Sequence, residues 1–227
     1  MNYGLMDLHN HTTWSDGIHS PKEIIENAIS CGIESIGISD HFATTKCNSI
    51  TVNKLERYIK RIEKLKKLYE SKINVIIGVE ICTSSTWCKL NELDTDKLNK
   101  LDFILFEYVE SFSDSFTLND LKDFREKLTC NVGLAHTNPF MLMEKYDLDY
   151  IAKFLSDEKI FWEINVNEGY EYFDKLLKNI DTNLVEKLFK VFKEKGVEIT
   201  VGSDTHSLDW YDLKKLKLGN VFAQYKM

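Results

Sequence analysis

Proline, glycine and long apolar runs are scarce in this chain of 227 residues. Only 2 prolines and 10 glycines occur, which excludes collagen-like and proline-rich disordered proteins. No apolar run approaches the roughly 18 residues of a transmembrane helix, and the first nine residues lack the basic and apolar regions of a secretory signal. We therefore expect a soluble, cytoplasmic protein without a membrane partner. Because 43% of the residues are hydrophobic, the chain can bury a sizeable core, and we expect one domain over residues 1–227.

The chain also has fewer basic than acidic residues, and its cysteines form no closely spaced pair. Lys and Arg number 29 against 36 Asp and Glu, which gives a formal net charge of −7. This balance argues against nucleic acid as the main partner, although metal ions can reverse the field inside a cleft that receives a nucleotide. The five cysteines are scattered without a Cys-x-x-Cys pair, which is typical of a reducing compartment and argues against a zinc ribbon.

Short apolar segments alternate with amphipathic helical segments, which predicts βαβ units and a parallel sheet. Ser20, Pro21 and Glu23 form a capping box that begins the first helix, and Gly32 ends it. Seven units are typical of a distorted (β/α)7 barrel or an open doubly wound sheet, and the pattern alone leaves both open. The predicted strands are residues 3–8, 34–39, 74–79, 103–109, 131–135, 160–166 and 197–202.

Five of the six histidines stand at or just after the carboxyl end of a predicted strand, and three acidic residues occupy equivalent places. Functional sites of barrels and open α/β sheets gather at these ends, so we expect the side chains to converge on one rim. His-x-His and Asp-x-His pairs suit metal binding, because residues two apart on a strand project to the same face. The candidate ligands are His9, His11, Asp16, His41, Glu80, His136, Asp204 and His206.

A ligand set of this size predicts a centre with two or three divalent ions, because one ion needs only four or five ligands. Imidazole combined with carboxylate favours zinc, manganese or iron over calcium. Ions about 3.5–4 Å apart can hold a bridging hydroxide, bind phosphoryl oxygens and stabilise a leaving oxygen, as phosphoester hydrolysis requires. Asp204 and His206 are candidates for proton transfer to the leaving group, and His41 is a further one.

Several nearby polar residues have two interpretations. Asp16 is also typical of an Asp-Gly turn. Asp40 either orients the imidazole of His41 or has a structural role. His19 is interpreted as a structural or surface residue beside the first helix cap.

Further side chains near the predicted rim are candidates for supporting roles. Glu163 and Asn165 line a substrate pocket, support a ligand or act as buried polar anchors. Trp14 and Phe42 are the aromatic candidates for substrate contact. The lysines of segment 60–67 are mixed with glutamates, which predicts a solvated outer face of a helix rather than a nucleic-acid patch.

Five short segments together resemble the PHP family, named for polymerase and histidinol phosphatase domains. They are residues 7–17 (DLHNHTTWSDG), 39–41 (SDH), 78–80 (GVE), 135–136 (AH) and 202–206 (GSDTH). The resemblance spans residues 5–206. It implies a distorted seven-stranded (β/α) barrel of the TIM-like, PHP type. It also implies two or three zinc, manganese or iron ions, held at the carboxyl rim by the eight ligands named above.

The resemblance further implies hydrolysis of a small phosphorylated substrate, a phosphomonoester or a nucleotide. Many family members carry another histidine at the end of strand four, where this chain has Glu107 and Glu110 instead. Either glutamate replaces that ligand, or the centre binds one ion fewer. Lys46 and Lys89 are candidates to bind the substrate phosphate.

Two other functions stay open at this point. Amidohydrolase-type barrels also begin with His-x-His and end with a strand-final Asp, but they usually add a carboxylated lysine, for which strands four and five offer no candidate. A metal-binding module without turnover would keep the same ligands, and it gains weight if Glu107 and Glu110 both point away from the metals. The sequence does not specify an oligomeric state.

Overall fold

The computed structural model describes residues 4–167 and 182–224. Its sheet has seven parallel strands in chain order. The strands are β1 Met6–Asp7, β2 Ser35–Ile38, β3 Asn74–Cys82, β4 Phe103–Glu107, β5 Asn131–Ala135, β6 Ile160–Asn165 and β7 Ile199–Gly202. The α-helices of the described residues are α1 Pro21–Ser30, α2 Leu55–Tyr69, α3 Thr95–Leu98, α4 Leu118–Arg125, α5 Pro139–Lys145, α6 Leu148–Asp157, α7 Thr182–Lys195 and α8 Leu213–Gln224.

The first and last strands meet, so the sheet curves into a nearly closed barrel. The backbone N–H of Leu8 donates to the carbonyl of Val201 at 2.8 Å, and the N–H of His11 donates to the carbonyl of Thr205 at 2.9 Å. An open doubly wound sheet would reverse its strand order beside the first strand, whereas the seven strands here follow one another in chain order. The predicted distorted seven-stranded (β/α) barrel is therefore confirmed, and the doubly wound alternative is wrong.

Aromatic rings fill the barrel near the amino ends of its central strands. The ring of Phe103 covers Gly78 on the neighbouring strand, and the ring of Phe161 covers Gly133 in the same way. A side chain at either glycine would collide with the ring opposite it. The two ring centroids are 6.4 Å apart. This packing leaves the carboxyl ends of the strands as the end where polar side chains gather.

Local signals in the sequence account for the first helix and several boundaries. The Ser20 hydroxyl accepts from the N–H of Glu23, whose carboxylate accepts from the N–H of Ser20, as the capping box predicts. Gly32 follows with φ 73°, a conformation that favours glycine. The structure shortens strand one to Met6–Asp7, and residue 3 of the predicted strand lies outside the described residues.

Two strands differ from prediction in ways that affect the rim. Strand β3 continues past residue 79, so that Glu80 lies inside the strand. Strand β4 stops at Glu107 because Tyr108 and Glu110 adopt left-handed backbone conformations with φ 64° and 60°. A strand cannot continue through such residues. Among the described residues, no helix has the length and apolar character needed to cross a membrane.

The C-terminal segment, which sequence patterns left unassigned, forms helix α8, which packs against β7 and β6 and reaches the first strand through Asn220. Asn220 is buried on this helix, and its side chain pairs with the backbone of Met6. The Met6 N–H donates to Asn220 Oδ1 at 2.9 Å, and Asn220 Nδ2 donates to the Met6 carbonyl at 2.8 Å. The Asn220 side chain thus satisfies both the N–H and the carbonyl of Met6, which point away from β2.

Replacing this asparagine should destabilise the fold. Asn220→Ala leaves a buried N–H and a buried carbonyl of Met6 without these partners, so we expect a loss of about 3 kcal/mol in the free energy of unfolding. Urea unfolding measures the change. Lys217→Ala, an exposed substitution on the same helix, is the control and should stay within about 0.5 kcal/mol of the unsubstituted protein. Equal stability of the two variants would contradict the role of this contact.

Candidate metal centre

The eight predicted ligands come together at the carboxyl rim of the barrel. His9 and His11 follow β1, and His41 follows β2. Glu80 lies in β3, His136 follows β5, and the last two ligands follow β7. Loops that are far apart in sequence thus contribute to one cluster, whose members are His9, His11, Asp16, His41, Glu80, His136, Asp204 and His206.

The carboxylate of Glu80 lies at the middle of the cluster and is fully buried. Its oxygens lie 2.9 Å from His41 Nδ1, 3.1 Å from His136 Nε2, 3.4 Å from His9 Nε2 and 3.5 Å from His11 Nε2. Four imidazoles from three different loops therefore face one carboxylate. A carboxylate with two oxygens in such a setting can bind two neighbouring cations.

Asp204 provides a second carboxylate on the opposite side of the same imidazoles. Its Oδ1 lies 3.1 Å from His11 Nε2, and its Oδ2 lies 3.6 Å from His136 Nε2. His136 and Asp204 both have left-handed backbone conformations, with φ 54° and 51°. A non-glycine residue in this region costs on the order of 1–3 kcal/mol and occurs most often at functional sites. The strain is located at two residues that aim their side chains into the cluster.

Asp16 forms the solvent-facing side of the cluster. Its carboxylate lies 3.5 Å from His41 Nε2, 3.4 Å from His206 Nε2 and 3.8 Å from His11 Nδ1. The side chains of Asp16 and His206 are 27% and 35% exposed, whereas the other histidines of the cluster are nearly or fully buried. This side of the cluster is therefore open to solvent.

Glu107 joins the cluster at the end of β4, and Glu110 does not. Glu107 is fully buried, with Oε1 4.0 Å from His41 Nδ1 and Oε2 accepting from Lys46 Nζ at 2.7 Å. Glu110 instead accepts from the hydroxyl of Tyr146 at 2.6 Å on the far side of the strand end. The backbone turn after Glu107 separates the two glutamates. Of the two alternatives, only Glu107 is placed where a strand-four ligand would lie.

The donor atoms fall into four groups that share members, and within each group they lie within 4.8 Å of one another. Shared members mean that neighbouring groups lie side by side around Glu80 and His11. The groups are His11, Asp16, His41 and His206; His9, His11 and Glu80; His9, His136 and Asp204; and His41, Glu80 and Glu107.

Buried carboxylate oxygens of Asp16, Glu80, Glu107 and Asp204 have imidazole nitrogens as neighbours but form no hydrogen bond of regular geometry. Burying such oxygens without a donor is unfavourable unless a cation compensates them. A nitrogen and oxygen donor set of this kind is typical of sites for zinc, manganese or iron. The residues therefore fit a centre of divalent ions.

The pKa shifts of the histidines also indicate that the cluster favours bound positive charge. Burial lowers the pKa of His41, but the neighbouring carboxylates, chiefly Glu80, outweigh it and raise that pKa to about 10. Burial likewise opposes charge on His9, yet Glu163, Glu80 and Asp204 hold its pKa well above the usual value. The carboxylates thus demand positive charge, which protons supply in part. Metal binding at such ligands displaces those protons.

Glu163 supports the cluster from β6. Its Oε1 lies 2.8 Å from His9 Nδ1, which turns His9 Nε2 towards Glu80 and Asp204. A carboxylate behind an imidazole fixes the orientation and tautomer of a metal ligand. Asn165 serves locally, because its Oδ1 accepts from the backbone N–H of Asn167 at 2.9 Å. Of the alternatives for these two residues, ligand support fits Glu163 and a buried polar anchor fits Asn165.

Asp40 acts differently from the predicted orientation of His41. Its carboxylate accepts from the N–H and hydroxyl of Thr12 at 2.7 and 2.8 Å, and from the Ser15 hydroxyl at 2.7 Å. These three hydrogen bonds fix the loop that carries the predicted ligands His11 and Asp16. Asp40 is therefore a structural anchor, the second of its two interpretations.

Asp7 has a corresponding role that sequence reasoning missed. Its carboxylate accepts from the N–H and the hydroxyl of Ser203, both at 2.8 Å. The contact joins the end of β1 to the residue before Asp204, whose backbone is strained. Asp7 stands in the first of the five short segments, two residues before His9, but no local sequence pattern predicts that it would contact Ser203, 196 residues further along the chain.

Several other candidates are placed outside the cluster. Phe42 is 1% exposed and packs in the hydrophobic core, so its predicted contact with substrate is wrong. Lys89 is exposed and pairs with Glu92 at 3.6 Å. His19 belongs to none of the ligand groups formed by the described residues. Trp14 is only half-buried and stays accessible beside the ligand loop.

The fold and site define a seven-stranded parallel barrel with a cluster of metal-ligand side chains at its carboxyl rim. The sequence matches the PHP domain over residues 7–196. The chain belongs to this family, and the resemblance carried by the five short segments is confirmed.

The sequence identity to an individual curated protein is low. The DNA polymerase/3'-5' exonuclease PolX of Bacillus subtilis (strain 168) is 25% identical over 215 residues, which are 91% of this chain. The chain spans only 35% of that protein's length.

Solved structures share the fold. Histidinol phosphate phosphatase from Lactococcus lactis, in complex with zinc, L-histidinol and phosphate, superimposes with a TM-score of 0.67 at 18% identity, over 97% of this chain and 93% of that one. One chain from the crystal structures of YwqE from Bacillus subtilis and CpsB from Streptococcus pneumoniae, described as metal-dependent tyrosine phosphatases, gives a TM-score of 0.57 at 19% identity, over 95% of this chain and 85% of that one.

Removing the charge behind His9 should weaken metal binding without unfolding the protein. In Glu163→Gln, the imidazole of His9 loses the carboxylate that orients it, so the affinity for Mn²⁺ should fall by about tenfold. Isothermal titration calorimetry measures this affinity. Glu194→Gln, on the exposed surface of α7, is the matched control and should bind Mn²⁺ as the unsubstituted chain does. An unchanged affinity in Glu163→Gln would show that this contact does not support a ligand.

Proposed function

We propose that this chain is a metal-dependent phosphoesterase that acts on a small phosphorylated substrate, and that residues 1–227 work as one domain. The central observation is that Glu80 and Asp204 are both surrounded by imidazoles at a rim that is open beside Asp16 and His206. Membership of the PHP family supports the proposal. The phosphatases that share the fold, one of them crystallised with zinc and phosphate, also support it.

The ligand groups favour more than one ion. The group of Asp16, His41 and His206, with His11 beside it, would hold an ion on the open side. The inner residues, His9, His136, Glu80 and Asp204, would hold a second. We propose that Glu107 takes the place of the family's strand-four histidine and contributes to a third, because its buried Oε1 has no hydrogen-bond donor and faces His41.

Divalent ions bound here would polarise the phosphoryl group, lower the pKa of a water molecule and neutralise the leaving oxygen. The chain's own residues hold those charges in place. Although burial opposes it, the imidazoles of His9 and His136 keep the pKa of Asp204 well below its usual range. An ionised Asp204 is suited to binding a cation, and poorly suited to donating a proton at neutral pH.

His206 also has contacts that favour a ligand role. Its Nδ1 lies 3.0 Å from the backbone carbonyl of Asp204, to which it donates when protonated at that nitrogen. That tautomer leaves Nε2 with its lone pair directed towards the group of Asp16. Proton transfer by Asp204 or His206 therefore stays a prediction, and both residues are better supported as ligands.

Lys46 is the better supported of the two phosphate-binding candidates. Its Nζ lies 2.7 Å from Glu107 Oε2 and 3.1 Å from the Tyr108 hydroxyl, and its side chain is 27% exposed. Although burial opposes it, the charge of Glu107 raises the pKa of Lys46, so the ammonium stays charged. A fixed positive charge at the rim suits a phosphate oxygen.

A cavity of about 350 Å³ beside His136 suits the leaving group. The Tyr108 ring lies nearly parallel to the His136 ring at 6.0 Å, and forms one wall. Phe112 and Met141 line the cavity with side chains that are 45% and 51% exposed. Exposed apolar side chains next to a metal ligand favour a phosphomonoester with an apolar or aromatic portion.

The two alternative functions receive less support. None of the seven strands ends in a lysine, the residue that an amidohydrolase-type centre would carboxylate. The hypothesis of a binding module without turnover would gain weight if both strand-four glutamates pointed away from the cluster, but Glu107 faces it.

The proposal is tested by replacing a ligand and a matched histidine outside the cluster. In His9→Ala, Mn²⁺-dependent release of phosphate from p-nitrophenyl phosphate should fall by about 100-fold or more, because an inner ligand is lost. His19→Ala should keep the activity of the unsubstituted chain. Steady-state kinetics on a panel of phosphomonoesters and nucleotides then identifies the preferred substrate. Unchanged turnover in His9→Ala would refute the assigned site.

A further inference from the structure

A line of four cations lies on the outer face of helix α2. Arg57, Lys60, Arg61 and Lys64 are spaced three and four residues apart, which places them on one helix face. All four are exposed and line one groove of about 700 Å³. Within residues 4–167 and 182–224, none of the four has a carboxylate partner within ion-pair distance. Among the described residues that line the groove, Glu56 is the only acidic one, and it is paired with Lys100 at 3.1 Å.

The structure separates charges that the sequence mixes. The glutamates Glu63 and Glu70 turn to a different cavity, together with Lys66 and Lys67. Lys66 is neutralised there by Asp102 at 2.7 Å. The predicted mixed, solvated face is therefore two faces, and the one that carries the four cations has an excess of positive charge. In a chain of net charge −7, such a stripe favours a ligand with several negative charges.

Trp14 connects this stripe to the metal centre. It lines the upper end of the groove, with the Arg57 guanidinium 5.9 Å from its ring. The loop that carries Trp14 also carries His11 and Asp16, and the hydrogen bonds to Asp40 hold it in place. The stripe therefore begins beside the open side of the centre. It continues along the outer wall of the barrel for about 10 Å, the rise of seven helical residues.

We propose that this groove binds a short segment of single-stranded nucleic acid. Its phosphates would lie along the four cations of α2, and a base would stack on Trp14. A row of cations combined with an aromatic side chain is the arrangement that binds single strands without reading sequence. Repeated charge favours a phosphodiester chain over a lone phosphate, and the aromatic ring favours a nucleic acid over inorganic polyphosphate. The proposal does not depend on the phosphoesterase function, because none of the groove residues is a metal ligand.

The test measures binding of a fluorescein-labelled oligothymidylate of twelve residues by fluorescence anisotropy. The full chain is used as purified, and again after treatment with a chelator. Four phosphate contacts predict a slope of about −2 to −3 for log K against log salt concentration. Charge reversal in Arg57→Glu/Arg61→Glu should lower the affinity at least tenfold, and should reduce the magnitude of the slope by about 1.4. The loss should be the same with and without chelator.

Matched variants distinguish binding at the groove from an effect of the overall charge of the chain. Lys67→Glu/Lys72→Glu makes the same change in net charge at the other cavity, and should bind oligothymidylate within twofold of the unsubstituted chain. Trp14→Leu should weaken oligothymidylate binding several-fold, and leave competition by inorganic polyphosphate unchanged. Thermal unfolding confirms that each variant is folded.

Three results would overturn the proposal. Equal weakening in the two charge-reversed double variants would assign the binding to net charge. Binding that disappears with chelator and survives Arg57→Glu/Arg61→Glu would assign it to the metal centre. Polyphosphate binding that exceeds oligothymidylate binding in the unsubstituted chain would identify a simple polyanion site. If the phosphatase assay fails and the groove variants still lose affinity, the phosphoesterase proposal fails alone.

Discussion

The burial of charged carboxylates among imidazoles is the constraint on which this structure depends. Glu80 is completely enclosed, and four histidine rings lie within 3.5 Å of its oxygens. Such a group is unfavourable in an apolar interior unless positive charge balances it. Protons on His9 and His41, whose pKa values the carboxylates raise, would provide part of that balance. Divalent ions would provide it more completely, which is why we interpret the rim as a metal centre.

The barrel positions this unfavourable cluster with rigid elements around it. Phenylalanine rings close the amino end of the barrel, and the strained backbone of His136 and Asp204 aims both side chains inwards at the other end. Buried aspartates hold the ligand loops, Asp40 through Thr12 and Asp7 through Ser203. A site that is fixed by surrounding hydrogen bonds keeps its ligands in place before any ion arrives.

Much of this arrangement was predictable, since parallel strands bring the residues after their carboxyl ends to one rim. The eight ligands share that simple property. Long-range contacts were not predictable from the sequence. The contact of Asn220 with Met6 joins residues 214 apart, and the helix that carries Asn220 has only a weak amphipathic pattern. Phe42 was misjudged because a loop aromatic can turn into the core. Glu107 and Glu110 were indistinguishable until the left-handed backbone at Tyr108 separated them.

Anomalous diffraction from crystals grown with Mn²⁺ tests the central claim most directly, because it locates each ion against its ligands. The account predicts two or three anomalous peaks at the carboxyl rim. One should lie among Asp16, His41 and His206, another beside Glu80 and Asp204, and a third, if bound, within ligand distance of Glu107. Peaks confined to surface carboxylates, or crystals grown with saturating Mn²⁺ that show no peak beside Glu80, would contradict the metal centre and the function proposed from it.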